Sequence, residues 1–148
     1  MNEAEERSAV VDEAWSWLHT PYHHLARVKG VGVDCLMVLC EVFERCGLVP
    51  HIDPGRYAHD WHLHRNEETY LAGLERYAKR VEGRDPLPGD IAMFRFGRTF
   101  SHGGVVVEVG ASARDAVVVH SYIGRGVIAS RLREEPLDGR PLQLWSIW

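Results

Sequence analysis

No apolar run in this chain is long enough to cross a bilayer as a helix, which argues against a membrane span. Basic charge is not in excess. Seventeen Lys and Arg stand against 21 Asp and Glu, and the formal charge of -4 offers no field for gripping phosphates, so nucleic acid is not an expected partner. Cysteine is scarce as well: Cys35, Cys40 and Cys46 cannot all pair with one another. Their spacing matches no usual zinc site, so a disulfide framework is excluded and a reducing compartment is expected. The acidic start Met1-Asn-Glu-Ala-Glu-Glu lacks the basic and apolar regions of a signal peptide, so the expectation is a soluble protein made in the cytoplasm. Internal repeats, low-complexity tracts and linkers are also missing.

What is present fits one globular domain over residues 1–148, at 45% hydrophobic and 26% charged. The first half reads as helical. Glu3 to His19 carries Val10, Val11, Ala14, Trp15, Trp17 and Leu18 at helical spacing, and Thr20-Pro21 breaks it. Tyr22 to Gly32 is a connecting segment. Val49 to Gly55 has the punctuation of a loop, and Glu67 to Val81 reads as a further helix. A turn at Asp85-Pro-Leu-Pro-Gly-Asp then introduces strand candidates at Ile91–Phe96, Gly103–Val109, Ala116–Tyr122, Val127–Leu132 and Leu142–Trp148, with Gly97 to Ser101 as a loop. Helices first and strands afterwards, without alternation, predict an α+β fold with an antiparallel sheet.

The stretch Val31 to Gly47 holds the first chemical signal. Asp34 is a good N-cap, Leu36, Val38, Leu39, Val42 and Phe43 recur at helical spacing behind it, and Gly47 supplies the stop. Cys35 therefore opens a buried helix, among unsatisfied N–H groups and at the positive end of the dipole. Both favour thiolate over thiol. Such a cysteine is either a nucleophile or simply a small buried residue, the commoner fate of a free thiol.

Two histidines bear on that choice. His102 falls at the start of one predicted strand and His120 near the end of the next. In an antiparallel hairpin the two are neighbours. One imidazole can then take the thiol proton while the other orients its far nitrogen.

Taken together, Tyr22, Asp34-Cys35, Leu87-Pro-Gly-Asp-Ile-Ala-Met-Phe, Ser101-His-Gly-Gly-Val-Val and Val119-His-Ser resemble the NlpC-type cysteine peptidases of bacterial cell walls. The stretch Tyr22 to Cys35 is similar to the phage tail-associated branch. The resemblance implies a papain-like core in which the nucleophile helix packs on a C-terminal antiparallel sheet. It also implies a Cys-His-His triad: Cys35 as nucleophile, His102 as base and then acid, and His120 as the residue orienting His102. Tyr22 and Asp34 are the candidate oxyanion- and substrate-binding residues, Asp34 more as the cap of its helix than as a reacting group. The implied substrate is the peptidoglycan stem peptide at the D-γ-glutamyl to diamino-acid bond, with no cofactor and no metal, and with phage tail proteins as possible partners. The implied place is the virion as well as the cytoplasm where the chain is made.

The family pattern has Gly two residues after the cysteine, and Met37 stands here. Met37 must occupy a pocket or push a neighbour away. Arg27 and Lys29 are candidates for meeting substrate carboxylates, against the blander reading of a solvated loop face. Two rival readings follow from the same residues. His19, His23, His24, His51, His59, His62 and His64 would suit a metal-binding module, and a non-catalytic tail assembly module would use the same fold with a degraded site.

Overall fold

A computed structural model describes residues 1–55 and 67–148, the first four of the second stretch by backbone alone. The fold is α+β. Helix α1 (Glu3–Ser16) is followed by a small hairpin of β1 (Arg27–Val28) and β2 (Gly32–Val33), then by α2 (Cys35–Arg45) and α3 (Glu67–Glu75). The strands β3 (Lys79–Val81), β4 (Ile91–Phe96), β5 (Thr99–Glu108), β6 (Val117–Tyr122), β7 (Gly126–Arg131) and β8 (Leu142–Ser146) form a six-stranded sheet in the order β3-β8-β4-β5-β6-β7. Every neighbouring pair in it is antiparallel.

The valine runs of β5 and β6 do not alternate with polar residues because both faces of the sheet are covered. Val105, Val107, Val117 and Val119 face Val10, Ala14 and Trp17 of the N-terminal segment and Val38, Leu39, Val42 and Phe43 of α2. On the other face Ala92, Phe94, Val106 and Val118 pack with Leu132, Leu137 and Leu144. Helix α2, the element that carries Cys35, thus lies on the antiparallel sheet.

Most expected boundaries shift by one or two residues, the segment Tyr22 to Gly32 holds β1 and the start of β2, and three shifts are larger. The helix read over Glu67 to Val81 ends at Glu75, and Lys79–Val81 becomes an edge strand paired with β8. Its exposed Lys79 and Arg80 suit an edge, and backbone pairing with Trp145 and Ser146 outweighs helical periodicity over so short a piece. The loop read over Gly97 to Ser101 is shorter, because β5 begins at Thr99. Helix α1 stops at Ser16, three residues before the expected end, and Trp17 forms its C-cap.

Leu87-Pro-Gly-Asp is a structural joint. Asp90 is fully buried, accepts from Arg7 at 3.0 Å and from Arg84 at 2.7 Å, and takes the Leu87 N–H at 2.9 Å. Two guanidiniums and an amide satisfy the carboxylate and pin α1 to the start of β4.

Candidate active site

Asp34 caps α2 as the sequence requires. It is buried, its Oδ1 accepts from the Met37 N–H at 2.9 Å, and its Oδ2 accepts from the Leu25 N–H at 2.8 Å. His24 lies 3.7 Å from the same Oδ2. One carboxylate therefore starts the helix and holds the 22–26 segment against it. With both oxygens accepting, Asp34 is a poor donor to any oxyanion, and its place is structural.

The Cys35 sulfur meets the backbone on both sides of His102. Its thiol donates to the Ser101 carbonyl at 3.7 Å, and the Gly103 N–H hydrogen-bonds to it. The register of β4 on β5 steps from Phe94↔His102 to Arg95↔Phe100, which leaves Ser101 as the extra residue of a bulge. Bulges re-aim the residues beside them, and this one faces the sulfur with the Ser101 carbonyl.

The thiol does not have the character its helix position suggests. Burial and then the Asp34 charge push its pKa up to about 12, against the N–H groups of Gly103, Cys35 and Leu36, which pull it down. Cys35 is only 8% exposed, so desolvation of a thiolate outweighs a few partial charges at a helix end. The expected preference for thiolate is thus reversed in the resting protein.

His102 and His120 lie together, both buried, with Nε2 of His102 2.7 Å from Nδ1 of His120. Their rings meet edge to face with centroids 4.9 Å apart. Gly104 makes this possible. A Cβ there would lie 2.5 Å from Val118 Cγ1 and 2.9 Å from His120 Cβ, so only glycine lets β5 and β6 approach beside the rings. Phe94, Phe96 and Tyr122 surround His102 at centroid distances of 6.1, 4.9 and 5.9 Å. Burial, then the neighbouring His120 and Arg140, hold His102 well below its usual 6.5, and burial with Arg125 brings His120 down to about 3. Both imidazoles are neutral at pH 7. Among the described residues, Nδ1 of His102 has no hydrogen-bond partner.

Tyr22 is half-buried and bridges to Val33 in the parallel sense. Its phenol is pushed above its usual 10 by burial and by nearby Cys35 and Asp34, so the hydroxyl keeps its proton beside the sulfur. A neutral phenol is able to donate a hydrogen bond.

Other sequence candidates find different places. Met37 is 5% exposed and packs in the core beside α1, so it fills a pocket where the family pattern has glycine. It also lines an open depression of about 540 Å3 with Leu25, Arg27, His51, Asp53 and Gly55; Cys35 and the two histidines are not among these. Arg27 is held by Glu41 and Glu44 at 2.8 and 2.9 Å, and Lys29 by Glu13 at 2.8 Å. Neither cation is free for a substrate carboxylate. His51 pairs with Glu44 at 2.8 Å, while His59, His62 and His64 lie outside the described residues. Among the described residues no group of three or more His, Cys, Asp or Glu side chains could hold a metal ion, and no helix is long and apolar enough to cross a membrane.

Two buried hydroxyls at the site were not read from the sequence. Ser121 donates to the Val33 carbonyl at 2.8 Å, and Ser130 Oγ lies 2.9 Å from Nε2 of His120. A serine inside an apolar strand is the available signal, since a buried hydroxyl needs a partner.

No family model and no curated protein matches the chain. Among solved structures it is similar to an N-acetylmuramoyl-L-alanine amidase from Bacteroides uniformis ATCC 8492, with a TM-score of 0.59 and 10% identity over 96% of this chain and 98% of that one. The chain has an amidase-like fold. At that identity the likeness is one of fold.

Proposed function

We propose that this chain is a cysteine peptidase of the NlpC type that hydrolyses peptidoglycan stem peptides, at the D-γ-glutamyl to diamino-acid bond. The observation that carries the reading is the 2.7 Å bond between His102 and His120, on strands whose backbone beside His102 meets the Cys35 sulfur. The amidase-like fold supports the substrate class.

Catalysis begins from a neutral thiol and a neutral imidazole. His102 takes the Cys35 proton at Nδ1 as the sulfur attacks the scissile carbonyl, and His120 steadies the imidazolium through Nε2. The Tyr22 hydroxyl and an N–H at the start of α2 receive the oxyanion. His102 then gives the proton to the leaving amine, and water, activated by the same imidazole, hydrolyses the thioester. The raised thiol pKa is consistent with this order, because the proton leaves only when substrate arrives.

A second reading keeps the fold without turnover. A thiol at about 12 and 8% exposed suits a binding module, as in a phage tail assembled in the cytoplasm. Mass spectrometry of defined muropeptides separates the two. The peptidase reading expects cleavage by the wild type, loss in Cys35→Ala, and retention in Cys40→Ala and Cys46→Ala. Intact substrate with every variant would overturn the peptidase reading and leave the binding module.

A further inference from the structure

One buried hydroxyl is not used by this mechanism. Ser130 lies on β7 opposite Val118, is 4% exposed, and places its Oγ 2.9 Å from Nε2 of His120. The 2.7 Å contact from His120 Nδ1 to His102 Nε2 continues the line, so Ser130, His120 and His102 form a chain of three groups. Each link holds one proton, and the chain can be polarised in either direction.

We propose that Ser130 is a positioning residue that sets the tautomers of both histidines. Its oxygen accepts from Nε2–H of His120, Nδ1 of His120 accepts from Nε2–H of His102, and Nδ1 of His102 keeps its lone pair. The opposite polarity would put the His102 proton on Nδ1, where no acceptor stands among the described residues. In the first polarity the loose end is the Ser130 hydroxyl hydrogen, which can rotate toward a partner, whereas in the second it is an N–H fixed in the His102 ring plane, so the first polarity is the cheaper. Ser130 is what makes it possible, because it is the acceptor for the proton at the far end of the line. Without it, either polarity ends in a loose ring N–H, the advantage of the first is lost, and the His102 proton is shared between its two nitrogens.

The consequence for catalysis rests on the peptidase reading above. When the S–H bond of Cys35 breaks, the proton bonds to Nδ1 of His102 and the sulfur electron pair goes to the substrate carbonyl carbon. His102 is then an imidazolium donating through Nε2 to a His120 that remains neutral. No proton travels beyond His102.

The test is imidazole nitrogen NMR of the full chain, using two- and three-bond proton–nitrogen couplings, beside kcat and KM on a muropeptide. Both histidines of the wild type should carry the proton on Nε2. In Ser130→Ala the His102 proton should appear in part on Nδ1, with kcat falling by about 10- to 100-fold, the size typical of lost groups that orient a working histidine, and KM little changed. Ser130→Thr should restore tautomer and kcat. A wild-type His102 protonated on Nδ1, or tautomers unmoved in Ser130→Ala, would overturn the proposal whatever the activity. Tautomers that move as expected in a protein that cleaves nothing would leave this inference standing and sink the peptidase reading instead.

Discussion

The Ser121 hydroxyl donates to the Val33 carbonyl at 2.8 Å, joining the residue after His120 to the residue before Asp34 and Cys35. One hydrogen bond thus fastens the histidine strand to the start of the cysteine helix. The same carbonyl also accepts from the His23 N–H at 3.2 Å, so it is not orphaned when the hydroxyl is removed. Ser121→Ala should therefore cost only about 1 kcal/mol of stability, near the net worth of one hydrogen bond. Its larger effect should be on kcat, because small misplacements of reacting groups are expensive. Denaturant midpoints and turnover on a muropeptide check both parts.

Gly104→Ala addresses the other side of the site. The added Cβ would lie 2.6 Å from the Val119 carbonyl oxygen and 2.9 Å from His120 Cβ, so β5 and β6 must part where the two rings meet. Activity should fall by about 100-fold or more, with a folded protein of lowered Tm. Gly73→Ala, where a new Cβ meets nothing within 4 Å, is the control and should leave activity unchanged while raising Tm slightly, since Ala is the better residue inside a helix.

Thiol reactivity should follow burial. Cys35 is held near 12 and is 8% exposed, whereas Cys46 is half-buried, so a small alkylating agent at pH 7 should modify Cys46 before Cys35. Peptide mapping after timed labelling reads the order. Selective modification of Cys35 at mildly acidic pH would show a resting thiolate and contradict the neutral pair.

Stability should weaken in mild acid. His120 titrates near 3 when folded and near 6.5 when unfolded, and His102 is also lowered. Between those values the unfolded chain binds protons that the folded one refuses, so stability rises with pH across the window and is complete above about 6.5. The loss on descending to pH 3 should be on the order of a few kcal/mol for His120. Guanidinium midpoints against pH measure it, and His120→Gln should flatten the slope.

The fold was legible because its signals are long-range patterns: apolar residues at helical spacing behind Asp34, and valine runs separated by turns. The meeting of His102 with His120 was legible for the same reason, since a hairpin brings the start of one strand to the end of the other. What escaped was set by contacts distant in sequence. Lys79–Val81 continues a helical pattern locally and is claimed by β8, some sixty residues on. The thiol pKa of Cys35 depends on how deeply β5 covers it, which helix position alone does not reveal. Ser121 and Ser130 looked like ordinary strand residues until Val33 and His120 were placed beside them. Met37 shows the reverse case, because the departure from the family pattern was visible and only packing decided that it was harmless to the helix.

The most direct test is to quench the protein during turnover of a defined muropeptide and measure its intact mass. The account predicts a transient adduct equal to the acyl part of the substrate, mapped to Cys35 as a thioester and lost in Cys35→Ala together with cleavage. Cleavage that persists in Cys35→Ala would contradict it.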